Sequence, residues 1–483
     1  MAQRLPVPGQ DDGVWGTILN DYLLASHETD GTLRADAISD AGGYLLPAGG
    51  IPKTDLAAAV QSAMDNTVNM TGDQTIGGTK TFSTAPIVPS NSFAQSTVTN
   101  LTADLAAKTA LTTYGQQQLL TQRGQALQPW FSALANRHYA RANVVCVGDS
   151  ITEGQGATNA NYRWLARLRD VLRARLPTLD LTGGGRGFLG AQSSGQVSFT
   201  WPAVHSGSLG LGTTLGPKSS FAQFNAAAQT ITYSLTGDSA DIMWTQIPFG
   251  GTFSWAVDGG SATNVSTNGG SVLSGRVTHI SLGAAGAHTL LLSRVSGTMN
   301  MEGVIEFNGD YAKGIQVHDA GHYGWQASNW NAQLASTTGA AAAIAALSPK
   351  LIIIALGVNE QFSGVSPATF QTNIQTMISH LRAAQSSPYP SIVLCMYPPR
   401  VNQGSYSYAW ADYVTAAWNV AAADTGGVGS TSLVTVLDFT LGPRMLGADS
   451  NVYGIWQSGD EVHPSNLGHS MLADVVASFI TPV

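Results

Sequence analysis

Short apolar runs alternate with helical patterns along the chain from about residue 126 onward. The apolar runs cover residues 144–147, 351–356, 392–396 and 433–437. Apolar residues also recur at helical spacing in two stretches, namely Trp164, Leu165, Leu168, Val171 and Leu172, and then Phe370, Ile374, Met377, Ile378 and Leu381. Because buried strands that alternate with amphipathic helices form parallel βαβ units, the pattern predicts an α/β domain built on a buried parallel sheet.

A stretch of β alternation interrupts this pattern between about residues 190 and 310. Segments such as QTITYSLTGDSADIMWTQ and GTFSWAVDGGS alternate apolar and polar residues and contain glycine turns. They predict several short strands of a sandwich or barrel. We therefore interpret residues 191–310 as a β-rich module that is inserted into an α/β domain, whose two parts are residues 126–190 and 311–483.

Four aromatic residues lie close together in the sequence of this module: Trp244, Phe249, Phe253 and Trp255. Aromatic rings can bind sugars by stacking, and they also form the cores of sandwiches. Alternation places Phe253 and Trp255 on one face of a strand. We favour the core over a carbohydrate-binding surface for this group.

Charge and cysteine content narrow the function classes. Only 11% of the 483 residues are charged and the net charge is -8, so the chain lacks a basic stripe for nucleic acid or an anionic membrane. Cys146 and Cys395 lie within apolar runs, and we expect buried free thiols, with neither a disulfide nor a metal–thiolate site. The apolar stretch 340–356 is interrupted by Ser348, Pro349 and Lys350, which predicts a helix, a turn and a strand instead of a membrane span.

The first 125 residues differ in composition from the rest. They are poor in aromatic residues, rich in glycine, threonine and alanine, and broken by prolines at residues 47–52 and 86–89. An extended linker and a fibrous, oligomer-forming stem both fit this composition. The opening MAQRLPVPGQDDG contains no apolar core of the length that a secretory signal needs, so we expect synthesis in the cytoplasm.

Two segments of this region resemble bacteriophage tail proteins. TGDQTIGGTKTFSTAPIVPS, residues 71–90, resembles the short repeat of tail-fibre and minor tail proteins, and RLPVPGQDDGVWGTILNDYLL, residues 4–24, is similar to the start of such proteins in actinobacterial phages. The resemblance implies that residues 1–125 form a virion-attachment and stem region. It also implies a location in the phage tail, contacts with other virion tail proteins and a homotrimer.

One serine stands directly after the first apolar run, in VVCVGDSITEG, residues 144–154. Ser150 lies where open α/β sheets bind their ligands, at the carboxyl end of a strand, so it is a candidate nucleophile. A serine in this position can equally begin a helix as its N-cap. The tripeptide recurs at residues 237–239, between two alternating runs, and we interpret that copy as a hairpin turn.

A nucleophilic serine needs a base, a group that orients the base, and donors for the oxyanion. Asp460 and His463 precede a helical pattern at a spacing that allows a carboxylate–imidazole pair, and Asp319 and His322 repeat that spacing. Asn359 follows a buried strand and could donate its side-chain amide. Each of these residues also has an ordinary interpretation as a capping, turn or surface residue.

Together, GDSITEG, Gly324, GVNE and DEVH resemble, in chain order, the four blocks of the SGNH subgroup of the GDSL hydrolases. By this resemblance Ser150 is the nucleophile and donates its backbone N–H to the oxyanion. Gly324 donates a second N–H and Asn359 its side-chain amide. His463 is the base, and Asp460 orients it.

The resemblance spans residues 126–190 and 311–483 and implies a flavodoxin-like three-layer α/β/α hydrolase domain without a cofactor. Gly321 is an alternative to Gly324. Glu360 stands where the family usually has aspartate, which leaves the local hydrogen bonding open. The α/β-hydrolase family is not supported, because its Gly-x-Ser-x-Gly pattern is absent around Ser150.

Two further alternatives concern the chemistry. His318, Asp319 and His322 could form a metal site, but Gly321 disfavours the helix that would align the two histidines, so we expect no metal and place His318 at a strand end. The two resemblances together imply an esterase that acts on an acylated polysaccharide or glycolipid of a bacterial surface. The competing hypothesis is a receptor-binding tail protein that uses an esterase-like scaffold without catalysis.

Overall fold

The computed structural model describes residues 123–181, 183–195, 197–400, 406–440, 453–460 and 462–482, and scattered positions before residue 63. The chain divides into two compact units, Met1–Val98 and Thr99–Val483. The predicted stem, residues 1–125, therefore lies almost entirely outside the described residues, and its structure is not tested.

The described part of the second unit contains helices and strands in an order that alternates, then becomes all β, then alternates again. In chain order these elements are α1 (Gln128–Ala135), β1 (Arg141–Gly148), α2 (Ser150–Glu153), α3 (Trp164–Arg175), β2 (Gly187–Gly190), β3 (Ala203–Ser206), β4 (Gly210–Gly212), β5 (Phe221–Phe224), β6 (Thr230–Gln246), β7 (Thr252–Val257), β8 (Thr263–Ser266), β9 (Leu273–Ser296), β10 (Met299–Phe307), β11 (Gly314–Gly321), α4 (Ala327–Leu334), α5 (Ala340–Ala346), β12 (Leu351–Ala355), α6 (Val358–Phe362), α7 (Pro367–Ala383), β13 (Ser391–Met396), α8 (Trp410–Ala423), β14 (Val434–Asp438) and α9 (Asn466–Ile480). Short 3₁₀ helices lie at Asn136–His138, Ala160–Tyr162 and Val428–Ser430.

Five strands form a parallel sheet in the order β11–β1–β12–β13–β14. If these five strands are renumbered 1 to 5 in the order in which they occur along the chain, their order across the sheet is 2-1-3-4-5. This is the flavodoxin-like arrangement. Almost every residue of these strands is buried, because helices cover both faces of the sheet. Helices α3 and α9 pack together, whereas α7 packs against α4, α5 and α8. The predicted α/β fold is confirmed.

The apolar stretch at 340–356 folds as the sequence indicates. It forms α5, then a turn in which Ser348 has a φ of +50°, and then the buried strand β12. Among the helices that the structure describes, none is long and apolar enough to cross a bilayer. Both cysteines are free and buried within β1 and β13.

The described residues of the β-rich module form β structure, and their strands belong to one hydrogen-bonded sheet, so the predicted sandwich is not confirmed. Nine antiparallel strands run in the order β4–β5–β10–β6–β9–β7–β8, with β2 paired to β10 and β3 to β6. Strands β6 and β9 have 17 and 24 residues, far longer than predicted. Their length lets β6 pair with both β3 and β10 along one edge.

The module has an apolar cluster of its own, to which β2, β5, β6, β7, β9 and β10 contribute. Phe253 and Trp244 are buried in it and Trp255 packs against it, as predicted for core residues. Phe249 is an exception, since 96% of it is exposed in the turn between β6 and β7.

The second Gly-Asp-Ser copy, residues 237–239, is not a hairpin turn. It lies inside β6, at a point where the register with β9 shifts. A Cβ atom on Gly237 would lie 1.9 Å from the carbonyl oxygen of Phe307, so glycine is required by close strand approach and not by a turn.

Candidate active site

The carboxyl ends of three neighbouring strands lie level with one another. The last residue of β1, Gly148, is in register with Gly321 of β11 on one side and with Ala355 of β12 on the other. The segments that follow these strands carry Ser150, Gly324 and Asn359. The edge of the sheet thus brings together three of the predicted site residues, at the point where the strand order reverses and α/β sheets bind ligands.

Ser150 is the first residue of the four-residue helix α2, and Asp149 is its N-cap. One oxygen of the Asp149 carboxylate accepts a hydrogen bond from the backbone N–H of Ile151 at 2.9 Å. The cap that we considered for Ser150 is therefore provided by its neighbour, and the Ser150 hydroxyl is available for other partners. Complete burial raises the pKa of Asp149 to about 7.

The Ser150 hydroxyl contacts the imidazole of His463, with 2.9 Å between Oγ and Nε2. The other ring nitrogen of His463, Nδ1, lies 2.6 Å from Oδ2 of Asp460. Ser150 and His463 are both buried. The two hydrogen bonds connect hydroxyl, imidazole and carboxylate in a single chain, the arrangement that activates a serine for nucleophilic attack.

The carboxylate of Asp460 is held in its ionised form. Partial burial alone would raise its pKa, but hydrogen bonds from the His463 ring and from the backbone N–H groups of His463 and Val462 lower it to about 2. A carboxylate that is ionised at neutral pH fixes the proton of the imidazole on Nδ1 and leaves Nε2 as an acceptor.

Local backbone contacts fix the loop that carries His463. The carbonyl oxygen of His463 accepts a hydrogen bond from the N–H of Gln457 at 2.9 Å, and Trp456 forms an isolated β-bridge with Pro464. Ser465 then caps α9, with its hydroxyl accepting from the N–H of Gly468 at 3.3 Å. The Asp-x-x-His spacing places both side chains in a short, braced turn directly before this helix.

Asn359 is the second residue of α6, and its side-chain amide points back toward the loop that follows β11. Its Nδ2 donates one hydrogen bond to the carbonyl oxygen of Trp325 at 3.0 Å. Since an amide nitrogen carries two hydrogens, the second is left for another acceptor at the edge of the sheet.

The structure distinguishes the two candidate glycines. The N–H of Gly321 already donates to Oδ1 of Asp319 at 2.8 Å, and a Cβ atom at this position would lie 2.4 Å from the backbone nitrogen of Glu153. Gly324 is exposed, has a φ of +72°, and has open space around its Cα. Gly321 therefore allows β11 to approach α2, and Gly324 remains the candidate oxyanion donor of the two.

Glu360, the departure from the family pattern, ties α6 to α4. Its two carboxylate oxygens accept hydrogen bonds from the N–H of Ala327 at 2.7 Å and from the N–H of Gly357 at 3.0 Å. Burial raises the pKa of Glu360 to about 7. The longer side chain thus satisfies the first turns of two helices and holds the turn that carries Asn359.

Asp319 and His322 do not form a second carboxylate–imidazole pair, despite their spacing. Asp319 forms ion pairs with Lys218 at 3.1 Å and Arg163 at 2.8 Å. The Nδ1 of His322 instead donates to the carbonyl oxygen of Lys218 at 2.8 Å, and its ring stacks on Trp325. Burial lowers the pKa of His322 to about 4.

His318 lies within β11, three residues before its end, and faces away from Asp319. Successive side chains of a strand point to opposite faces, so His318 and Asp319 cannot share a ligand. Burial lowers the pKa of His318 to about 3. Among the described residues, no group of three or more histidine, cysteine, aspartate or glutamate side chains is arranged to hold a metal ion.

Sequence reasoning missed the contribution of the β-rich module to this region. Ser194, between β2 and β3, donates its backbone N–H and its hydroxyl to the carboxylate of Glu153, each at 2.6 Å. Lys218, between β4 and β5, is fully buried against β11 and α2. A lone serine or lysine that lies outside every motif gives no signal in the sequence.

Comparison with known proteins agrees with this geometry. Residues 306–471 match the profile of the GDSL-like lipase/acylhydrolase family, a segment that includes Gly324, Asn359, Asp460 and His463. Ser150 lies before the β-rich module and outside the matched segment. No curated protein sequence matches the chain.

Solved structures match the chain at low sequence identity, and the first of the three described below shares its fold. A peptidoglycan O-acetylesterase is 17% identical, with a TM-score of 0.54, and the match covers 72% of this chain and 94% of that chain. A salicylyl-acyltransferase from a tetracycline biosynthetic pathway is 15% identical, with a TM-score of 0.29 and coverage of 51% and 80%. A family two carbohydrate esterase from Cellvibrio japonicus is 12% identical, with a TM-score of 0.26 and coverage of 60% and 96%.

The level strand ends, the Ser150–His463–Asp460 chain and the matched profile agree with one another. Residues 306–471 are thus part of a domain of the GDSL-like lipase/acylhydrolase family.

Proposed function

We propose that this protein is a serine esterase that hydrolyses acyl esters, most simply O-acetyl groups, through an acyl-enzyme. One observation carries the proposal: Ser150 Oγ lies 2.9 Å from His463 Nε2, and His463 Nδ1 lies 2.6 Å from the ionised carboxylate of Asp460. Adhesion alone does not require a hydroxyl, an imidazole and a carboxylate in series. Nucleophilic catalysis does.

In the acylation step, Ser150 Oγ attacks the carbonyl carbon of the ester while His463 Nε2 takes the hydroxyl proton. The tetrahedral oxyanion is bound by the N–H groups of Ser150 and Gly324 and by the Asn359 side-chain amide. His463 then gives its proton to the leaving alcohol as the carbon–oxygen bond breaks.

In the deacylation step, water attacks the acyl carbon and His463 accepts its proton. Collapse of the second tetrahedral intermediate releases the carboxylic acid and returns the proton to Ser150 Oγ. Asp460 stays ionised throughout and stabilises the imidazolium that forms in each half of the cycle.

The proposed substrate is an O-acetylated polysaccharide or glycolipid of a bacterial surface, and the proposed location is a phage tail. The likeness of residues 4–24 and 71–90 to phage tail proteins supports the location, the contacts with other tail proteins and the homotrimer. The fold shared with a peptidoglycan O-acetylesterase supports the substrate class, because that protein acts on an acetylated cell-wall glycan.

The experiment is release of acetate from isolated bacterial cell-wall glycans and from p-nitrophenyl acetate by the full chain. We expect release by the wild type and by Ser336→Ala, a matched loss of a hydroxyl at a surface loop, and none above background by Ser150→Ala. Equal release by Ser150→Ala would contradict the proposal. Tight glycan binding by both proteins without any release would favour the receptor-binding alternative.

A further inference from the structure

A buried lysine from the β-rich module lies beneath the candidate active site. Lys218 has no exposed surface, and its ammonium group lies 2.6 Å from the carbonyl oxygen of Gly321, 3.1 Å from Asp319 and 3.3 Å from Glu153. A buried ammonium group is tolerated only when it is paired and hydrogen-bonded. All three of its partners belong to the α/β domain, so the Lys218 ammonium group of the β-rich module is buried against residues of the α/β domain.

The charges in this cluster balance. The carboxylates of Glu153 and Asp319 face the cations Lys218 and Arg163, and the guanidinium of Arg163 lies 2.8 Å from Asp319. Burial would raise the pKa of Asp319, but Lys218 and Arg163 outweigh it and lower the pKa. The cluster is therefore an ionic connection between the β-rich module and the α/β domain.

The partners of Lys218 belong to the two segments that carry catalytic groups. Glu153 is the last residue of α2, whose first residue is Ser150. Gly321 ends β11 and leads within three residues to Gly324. Through these two contacts, one ammonium group fixes the distance between the helix of the nucleophile and the loop of the oxyanion donor.

Ser194 makes a second, independent connection between the same two segments. Its hydroxyl donates to Glu153 at 2.6 Å and accepts from the N–H of Tyr323, the neighbour of Gly324, at 2.8 Å. The backbone carbonyl of Lys218 adds a third connection, through the ring of His322. The loop from residue 321 to residue 324 is thus attached to the module at three successive positions.

We propose that the β-rich module completes the esterase active site, with Lys218 and Ser194 as positioning residues that hold the Gly324 N–H at its working distance from Ser150. The inference rests on the proposed esterase function. Neither residue touches the ester. Both act through α2 and the 321–324 loop, where a displacement of about 1 Å can cost on the order of a hundredfold in rate.

The first test is Lys218→Met, with Arg382→Met as the matched control. Arg382, on α7, forms a partly buried ion pair with Asp424, and neither residue belongs to α2 or to the 321–324 loop. We expect kcat for p-nitrophenyl acetate to fall about tenfold to a hundredfold in folded Lys218→Met with little change in KM, and to stay at the wild-type value in Arg382→Met. An unchanged kcat in folded Lys218→Met would overturn the proposal.

If Lys218→Met does not fold, a second variant tests whether contacts from the β-rich module position the 321–324 loop. Ser194→Ala keeps the buried charges balanced and removes only the hydroxyl connection, so we expect it to fold and to show a lower kcat at unchanged KM. Wild-type kcat in Ser194→Ala would contradict the role of this connection.

Hydrogen exchange separates this inference from the esterase proposal, because it requires no activity. In Lys218→Met, or in Ser194→Ala, amides of residues 321–324 and of α2 should exchange faster than in the wild type. The same amides should be unaffected in Arg382→Met. Unchanged protection would refute the connection, whereas faster exchange in an enzyme that cleaves no ester would contradict only the proposed function.

Discussion

Asp460 accepts two hydrogen bonds from one residue, His463: one from ring Nδ1 at 2.6 Å and one from the backbone N–H at 2.9 Å. The three-residue spacing makes this double contact possible. The carboxylate therefore sets the orientation of the imidazole and the shape of the loop at the same time.

Asp460→Asn should lower kcat on the order of a thousandfold or more. A neutral amide neither holds the His463 imidazole in its orientation nor stabilises the imidazolium that forms during the reaction. KM should change little. The measurement is steady-state hydrolysis of p-nitrophenyl acetate at neutral pH. Retention of wild-type kcat would remove Asp460 from the mechanism.

Asp460 also gives the stability of the protein a defined pH dependence. Its folded pKa of about 2 lies below the ordinary value of 3.8, so its ionised form stabilises the fold above the unfolded pKa. That contribution is lost as pH falls through the folded pKa. The difference in unfolding free energy between wild type and Asp460→Asn should be constant from neutral pH to about pH 5 and shrink below about pH 4 in urea denaturation. A difference that grows toward acid pH would contradict this sign.

Asn359→Ala should reduce kcat on the order of a hundredfold to a thousandfold, through loss of one oxyanion donor. Folding should be affected little, since the side chain loses a single hydrogen bond to Trp325. Ser363→Ala, at the end of the same helix, removes a hydroxyl that accepts from Gln326 and should leave kcat unchanged. Equal kinetics in the two variants would exclude Asn359 as a donor.

Glu360→Gln should destabilise the protein by about 1–3 kcal/mol at pH 5, because the buried amide NH₂ cannot accept from a backbone N–H. The folded pKa of Glu360, about 7, is higher than its ordinary value of 4.5, so the folded state binds the additional proton between these values. The contribution of Glu360 to stability consequently falls as pH rises through this range. The gap between wild type and variant in urea denaturation should narrow from pH 5 to pH 8. A constant gap would show that Glu360 does not titrate in this range.

Two glycine substitutions should destabilise the fold to very different extents. In Gly321→Ala the added Cβ would lie 2.4 Å from the Glu153 backbone nitrogen, so β11 and α2 must separate, and both Tm and kcat should fall steeply. In Gly324→Ala nothing obstructs the Cβ, and only the positive φ is strained, at about 1–2 kcal/mol. The measurements are the Tm and the kcat of the two variants. Equal Tm values would contradict the argument that an added Cβ at residue 321 forces β11 and α2 apart.

The sheet could be predicted from the sequence because it depends on local patterns, whereas the pairing of Ser150 with His463 was implied by the resemblance to the SGNH hydrolases. Continuous apolar runs identify strands that are buried on both faces, and polar residues directly after such runs lie at one edge of a parallel sheet. The choice of Gly324 over Gly321 came from resemblance and not from spacing, and the geometry supplies the reason, since the Gly321 N–H is already engaged by Asp319.

Contacts between distant segments could not be predicted. Asp319 and His322 have the spacing of a carboxylate–imidazole pair, yet Lys218, which approaches from the module, pairs with the carboxylate. The lengths of β6 and β9 were underestimated because glycines and polar residues that usually mark turns lie within these strands at register shifts. Such features depend on which strands meet, and a single sequence does not encode that in any local pattern.

The parallel pairing of β1 with β11 has a consequence for the order of folding. During synthesis β1 leaves the ribosome long before either of its sheet neighbours, because the whole nine-stranded module precedes β11 and β12 in the chain. Closing so long a segment carries an entropic cost before β1 gains its hydrogen bonds, although that cost grows only slowly with length. If the β-rich module folds first, it holds the end of β1 close to the start of β11 and shortens the search of β1 for its sheet partners. The rate at which β1 joins the parallel sheet should therefore depend on how fast the β-rich module folds.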